Sequence, residues 1–235
     1  MLSWQRLRFR SRTAGALFIS GFCAYAITAV LASHYEFFSG DLRVARAIQS
    51  LDMAWIRPLM TFVSALGSGW LAVALVVFAG VALVAVGRRT EGLVCMAGLG
   101  VGRSLTSLLK LLSARPRPSL EFLQVTGSFH ELSFPSGHAV FFVEFFGFLF
   151  FLTYLLAKRG VARTFALVIL ATLILLVGVS RVYLGAHWPS DVLGGYLAGM
   201  LWLTVMIQTY YYFASPSEPD DGQPKSQQAT LFSAK

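Results

Sequence analysis

Charge is what this sequence has least of: only 13% of its 235 residues are Asp, Glu, Lys or Arg, against 56% hydrophobic. A soluble domain carries about a quarter charged residues, so this composition, with a mean hydropathy of +0.67, excludes an ordinary water-soluble fold. Acidic groups are scarcer still, 11 against 19 Lys and Arg, for a net charge of +8. That excess is not gathered into a basic patch interleaved with aromatics, which argues against nucleic acid as a partner. Cysteine is nearly absent. Cys23 and Cys95 sit far apart in apolar runs and form no C-x-x-C. They read as small buried apolar residues, neither a disulfide nor a metal site. No internal repeat is visible.

Long apolar runs are what the chain does have. A bilayer core needs about 20 apolar residues in helical form, and six stretches qualify, near 14–33, 70–87, 92–112, 138–157, 164–180 and 191–213. The fold expected is all-α, an integral membrane six-helix transmembrane bundle over residues 1–213. The first run follows "RLRFRSR" and so imitates a signal peptide, but it is longer than the usual h-region and lacks a small-x-small site. It is read as a retained span. With the N-terminus in the cytoplasm, Arg6, Arg8, Arg10, Arg12, Arg88, Arg89, Lys158, Arg159 and Arg163 all fall inside, as the positive-inside bias requires. Between the first two spans, Leu42, Ala45, Ile48, Leu51, Trp55 and Leu59 recur at helical spacing, with Arg43, Arg46 and Asp52 off that stripe. The pattern predicts one helix over about 41–63, lying in the outer interface or packed on the bundle top. Residues 214–235, with "SPSEPDDGQPKSQQ", are too polar for a core and read as a disordered cytoplasmic tail.

This topology brings three polar clusters to the outer side: "KLLSARPRP" at 110–118, "FPSGHAV" at 134–140 and "SRVYLGAHWPSD" at 180–191. Their cations are Lys110, Arg117 and Arg181. Arg offers a planar fork of donors that matches phosphate oxygens, and Lys adds a point charge. Pro135 is read as the first residue of a helix, which would aim the amides of Ser136, Gly137 and His138 at an anion. Gly137 would let that anion approach closely. Pro189 marks another helix start, setting His187 and Asp191 four residues apart on one side. A carboxylate on one imidazole nitrogen leaves the other as a lone pair able to attack phosphorus, while a second imidazole protonates the leaving oxygen. The residues alone leave open whether His187 or His138 attacks.

The three clusters resemble the signature of the type-2 phosphatidic acid phosphatase superfamily, K-x6-R-P, P-S-G-H and S-R-x5-H-x3-D. Lys110 with Arg117 and Pro118 fits the first part, Pro135 to His138 the second, and Ser180, Arg181, His187 and Asp191 the third. The resemblance implies a membrane lipid phosphatase with a phosphohistidine at His187, oriented by Asp191. In that scheme His138 serves as acid and then base, and no metal or cofactor takes part. The implied substrate is a lipid phosphate or diphosphate such as undecaprenyl diphosphate, phosphatidylglycerophosphate or phosphatidic acid, met at the non-cytoplasmic face of the cell membrane among membrane lipids. A lipid phosphotransferase and a non-enzymatic scaffold are the alternatives.

Other polar residues have ordinary readings. Arg115 is read as a snorkelling interfacial residue, Phe134 as an interface anchor, and His34 and His130 as hydrogen-bonded interfacial residues. Arg103 and Glu144 both fall roughly 9–10 Å below the pocket by helical rise. A charge at that depth normally finds a partner, so the expectation is that the two pair and lock the third and fourth spans together.

Overall fold

The computed structural model describes residues 12–51, 53–127 and 131–214, and every regular element among them is a helix. Six helices coincide with the six predicted spans: α1 (Arg12–His34), α4 (Gly69–Ala85), α5 (Arg89–Ser113), α6 (Gly137–Leu156), α7 (Val161–Tyr183) and α8 (Pro189–Ala214). Two short helices lie between the first two spans, α2 (Asp41–Gln49) and α3 (Ile56–Leu66). Five helices are each long and apolar enough to cross a bilayer; α4, at 17 residues, reaches that length only together with α3, from which it bends by 59°.

The centre of the bundle is α6, which packs on α5, α7 and α8. Its Phe142, Phe145, Phe146 and Phe148 join Cys95 and Leu99 of α5, Val177 of α7 and Met206 of α8 in the main core. In lipid the hydrophobic effect does not drive helices together, so close packing at small residues must. Gly195 and Gly199 of α8 show this: a Cβ on Gly195 would meet the Ser136 carbonyl at 2.7 Å, and one on Gly199 would meet Val143 at 2.8 Å. The apolar side chains on the outside, among them Phe22, Phe78, Phe165 and Leu175, suit contact with lipid tails.

Four expectations need correction. The single helix over 41–63 is two, because the chain leaves the helix at Ser50 and re-enters at Ile56 in a different phase. Ala45 keeps the predicted stripe and is buried, whereas Leu51 and Trp55 are exposed and Ile56, Met60 and Val63 take over the inward face; Asp52 lies outside the described residues. Cys95 is in the core, but Cys23 is exposed on the outer surface of α1. Phe134 is no interface anchor: it is completely buried, stacked on Tyr25 of α1 and seated where only a glycine, Gly194, leaves room.

The fourth concerns Arg103 and Glu144, which are not paired. The face α5 turns toward α6 is the i, i+4, i+8 stripe of Gly102, Thr106 and Lys110, all buried. The Glu144 carboxylate packs against Gly102, its buried Oε1 making no hydrogen bond among the described residues, while Arg103, one residue further round, is exposed. The tail at 215–235, the first 11 residues and His130 lie outside the described residues.

Candidate active site

All three motifs meet at one end of the bundle, where α5 and α7 finish and α6 and α8 begin. Pro189 opens α8 as expected, and Asp191 stands in its first turn. His187, one residue before Trp188, is almost completely enclosed. Its Nδ1 lies 3.6 Å from Asp191 Oδ2. The Ser133 hydroxyl sits between them, 3.4 Å from Nδ1 and donating to the same carboxylate oxygen. On the far side of the ring, Nε2 is 3.3 Å from an Arg117 Nη. One nitrogen therefore faces an anion and the other a cation. Burial, then Arg117, Arg181 and Lys110, push the His187 imidazolium well below its ordinary pKa, with the Ser133 backbone opposing slightly.

Backbone carbonyls hold Lys110 and Arg117, and a serine hydroxyl holds Arg181. Helix α5 ends on Ala114 in the left-handed conformation (φ 49°), its amide bonding the Lys110 carbonyl. A residue with a Cβ is disfavoured there by roughly 1–2 kcal/mol, but the turn sends Arg115–Pro118 across the bundle end. Arg117 donates to the carbonyls of Glu131 (2.6 Å) and Ala186 (2.8 Å). Lys110 Nζ donates to the Leu132 carbonyl at 2.6 Å, with the exposed Glu131 carboxylate at 3.6 Å. Arg181 donates to Ser64 of α3, and the neighbouring Ser180 hydroxyl bonds the Met60 carbonyl at 2.6 Å. The short helix α3 thus braces the Ser-Arg pair of the third motif. Burial lowers the pKa of the Arg117 guanidinium, with Glu131 and Asp191 acting against the shift.

The mouth of α6 departs from expectation in two respects, its first residue and the use of one amide. The helix begins at Gly137, with Ser136 as its cap and Pro135 before it. The Ser136 amide is already used, donating to the Asp191 carbonyl at 3.0 Å, so Gly137 and His138 supply the unpaired first-turn amides. The Ser136 hydroxyl is buried and makes no hydrogen bond within the described residues. Lys110 reaches the same place, its Cε 3.7 Å from where a Cβ on Gly137 would stand. His138 lies over the α3–α4 bend. Its Nε2 is 2.9 Å from the Ser68 hydroxyl, and a Cβ on Gly67 would come within 2.8 Å of the ring. The bend and its glycine make the space for this imidazole.

A loop over 119–127 roofs the same end of the bundle. Gln49 of α2 brackets Gln124 through its amide and carbonyl, at 3.1 and 2.7 Å, and also donates to the Tyr183 carbonyl. Thr126 donates to the Leu184 carbonyl at 2.9 Å. Gly185, at φ +67°, lies directly under the Gln124 carbonyl, where a Cβ would not fit.

Lys110, Arg117, Ser136, Gly137, His138, Arg181, His187 and Asp191 are thus brought together. The reading of Arg115 as a snorkelling residue is wrong. It is buried, with ion pairs to Asp191 at 2.6 Å and Asp41 at 3.2 Å. Neither Asp41 nor Ser133 was singled out from the sequence, although Ser133 sits two residues before the "PSGH" stretch. Among the described residues no group of three or more His, Cys, Asp or Glu is placed to hold a metal ion.

A model of the PAP2 superfamily matches residues 91–215. The chain belongs to that superfamily. Phosphatidylglycerophosphatase B of Bacillus subtilis (strain 168) is 31% identical to this PAP2 member over 164 residues, 69% of this chain and 79% of its own length. The crystal structure of a transmembrane PAP2-type phosphatidylglycerolphosphate phosphatase from Bacillus subtilis superposes with a TM-score of 0.71 at 26% identity, covering 86% of this chain and 98% of that one. The crystal structure of LpxE from Aquifex aeolicus gives 0.58 at 25% identity, over 74% and 98%. The protein is a multi-pass membrane phosphatase of the PAP2 type.

Proposed function

We propose that this PAP2-type phosphatase hydrolyses a lipid phosphate or diphosphate through a phosphohistidine at His187, on the non-cytoplasmic side of the cell membrane and with no metal or cofactor. Nε2 of His187 attacks phosphorus in line as the bond from phosphorus to the lipid oxygen breaks, and His138 gives that oxygen a proton. His138 then takes a proton from water, whose oxygen displaces the imidazole and releases phosphate. Arg117, Arg181, Lys110, the Ser136 hydroxyl and the Gly137 and His138 amides hold the three phosphoryl oxygens, where charge grows in the transition state. The head group stays at the interface and the tails in lipid.

One observation carries the reading: the His187 ring has Asp191 and Ser133 at Nδ1 and the Arg117 cation at Nε2. The carboxylate side keeps the Nδ1 proton, which leaves Nε2 as a lone pair beside the donors that would anchor phosphate. The outer placement rests on the positive charges gathered at the other end of the bundle, Arg88, Arg89, Lys158, Arg159 and Arg163.

The test is phosphate release by purified protein from a panel of phosphatidylglycerophosphate, phosphatidic acid, undecaprenyl diphosphate and lipid A phosphate. Phosphatidylglycerophosphate heads the panel because the Bacillus subtilis relative is named for it. Release is expected to survive EDTA, to be inhibited by vanadate, and to fall at least about a thousandfold in His187→Ala. Rapid quenching should trap radiolabelled phosphate in an acid-labile, base-stable bond. Activity retained in His187→Ala would overturn the histidine intermediate. Release only when a second lipid hydroxyl is supplied would make the protein a transferase.

A further inference from the structure

Arg115 is the largest charged side chain fully enclosed among the described residues, about 1% exposed, and its guanidinium joins three parts of the chain. Nε donates to the Tyr35 and Glu36 carbonyls that follow α1. One Nη reaches Asp191 Oδ1 at 2.6 Å and the Ser190 hydroxyl at 2.8 Å, while the other reaches Asp41 Oδ2 at 3.2 Å. Asp41, opening α2, also accepts from the Ser190 amide and hydroxyl and from the Phe38 amide. The Asp191 carboxylate is consequently specified on both oxygens, Oδ1 by Arg115 and Oδ2 by Ser133 and the Trp188 amide.

We infer that Arg115 and Asp41 are positioning residues for the reaction: acting through Asp191, they set the orientation and the net charge of the group that faces Nδ1 of His187. The inference rests on the reading of His187 as nucleophile. Two carboxylates and one guanidinium leave the buried cluster with one negative charge. Phosphorylation at Nε2, with the proton kept on Nδ1, makes the ring a cation 3.6 Å from Asp191 Oδ2. A single negative charge matches that cation. One carboxylate paired with Arg115 would leave none, and two without Arg115 would leave an excess that burial disfavours. The Asp41 carboxylate is what turns a neutral Arg115–Asp191 pair into an anionic cluster.

The other charged and titratable groups around His187 are Lys110 on α5, Arg117 after it, His138 on α6 and Arg181 on α7. None of them is altered by substitution at 41 or 115, which isolates the effect of the cluster. Asp41→Asn takes its charge from −1 to 0, Arg115→Gln to −2, and the double variant restores −1. The readout is the acid limb of kcat/KM, which follows protonation of the free nucleophile, measured with the panel lipid that wild type hydrolyses fastest. Relative to wild type, Asp41→Asn is expected to move the limb to lower pH by roughly one unit and Arg115→Gln to higher pH. In the double variant the limb should return to within a few tenths of a unit. Turnover in Asp41→Asn is expected to fall about tenfold, with KM changed less than twofold, since Asp41 makes no contact on the phosphate side of the ring.

Acid limbs that coincide with wild type in both single variants, while stability or turnover falls, would reduce the cluster to a brace and overturn the inference. If Arg115→Gln does not survive purification, the direction of the Asp41→Asn shift decides alone: downward supports the inference, and no shift or an upward one overturns it. Failure of the nucleophile reading shows separately, as activity in His187→Ala.

Discussion

His187 is enclosed among cations, and two consequences follow from the lowered pKa of its imidazolium. A proton that the ring refuses in the folded protein is taken up freely in the unfolded chain, so stability declines as pH falls through the ordinary histidine range near 6.5. The neutral ring persists below that range, and if it is the nucleophile as proposed, the acid limb of kcat/KM is expected under pH 6.5 in a phosphate-release assay. In the proposed reaction His138 has a different task. A lipid monoester leaves as a poorly stabilised alkoxide, whereas a diphosphate leaves as phosphate and needs an acid less. His138→Ala should therefore reduce phosphatidic acid turnover at least about tenfold more than diphosphate turnover; equal losses would mean that protonation is not its main contribution. That the motif residues gather at one end of the bundle was legible in the sequence, because each motif lies at a span end that the apolar runs mark. Arg115, Asp41 and Ser133 were not, because no local pattern separates a cation at a span end that snorkels from one that turns inward to meet a carboxylate far away in the chain. Orphan depth was equally misleading for Arg103 and Glu144, whose side chains diverge although their heights match.

At the scale of elements, α6 and α8 begin side by side, stitched by the Ser136 amide on the Asp191 carbonyl and drawn together at Gly195. A Cβ at Gly195 would meet a backbone oxygen and the Ala139 Cβ, neither of which can rotate away. Gly195→Ala is expected to cost about 1–3 kcal/mol, read as a lowered Tm in detergent, and to reduce activity by separating the helix mouths that carry His138 and Asp191. A variant as stable and active as wild type would mean that the two helices part without consequence. The spans themselves were readable to within a few residues, since length and apolarity suffice to mark a helix in lipid. The path between α1 and α4 was not. Its apolar stripe runs on through Leu51 and Trp55 as if one helix continued, and only the turn after Ser50 resets which side faces inward. A short helix propped on a bundle is decided by what it rests on, here Ser180 and Arg181 of α7, and that partner is remote in sequence.

For the molecule as a whole, the proposed orientation has a direct check. Leu120 is exposed in the loop at the motif end, and Val161 is exposed at the opposite end, beside Arg159. In a background lacking Cys23 and Cys95, a membrane-impermeant maleimide applied to intact cells is expected to label Leu120→Cys and to leave Val161→Cys untouched until the membrane is opened. The reverse pattern would put the pocket in the cytoplasm. The bundle of spans was visible early because apolar lengths constrain it, whereas the way the 119–127 loop is tied down was not visible at all. Under the proposed function that loop, tied to the turn before His187, is where head-group preference would be set. Its bonds to Gln49 and Leu184, and its contact with Gly185 two residues before His187, tie it to the turn that bears that histidine. Transplanting residues 119–127 from a relative with another preference is therefore expected to displace His187 along with the new selectivity. Only a graft that includes Gln49 and the 183–187 turn would exchange substrates and keep the rate.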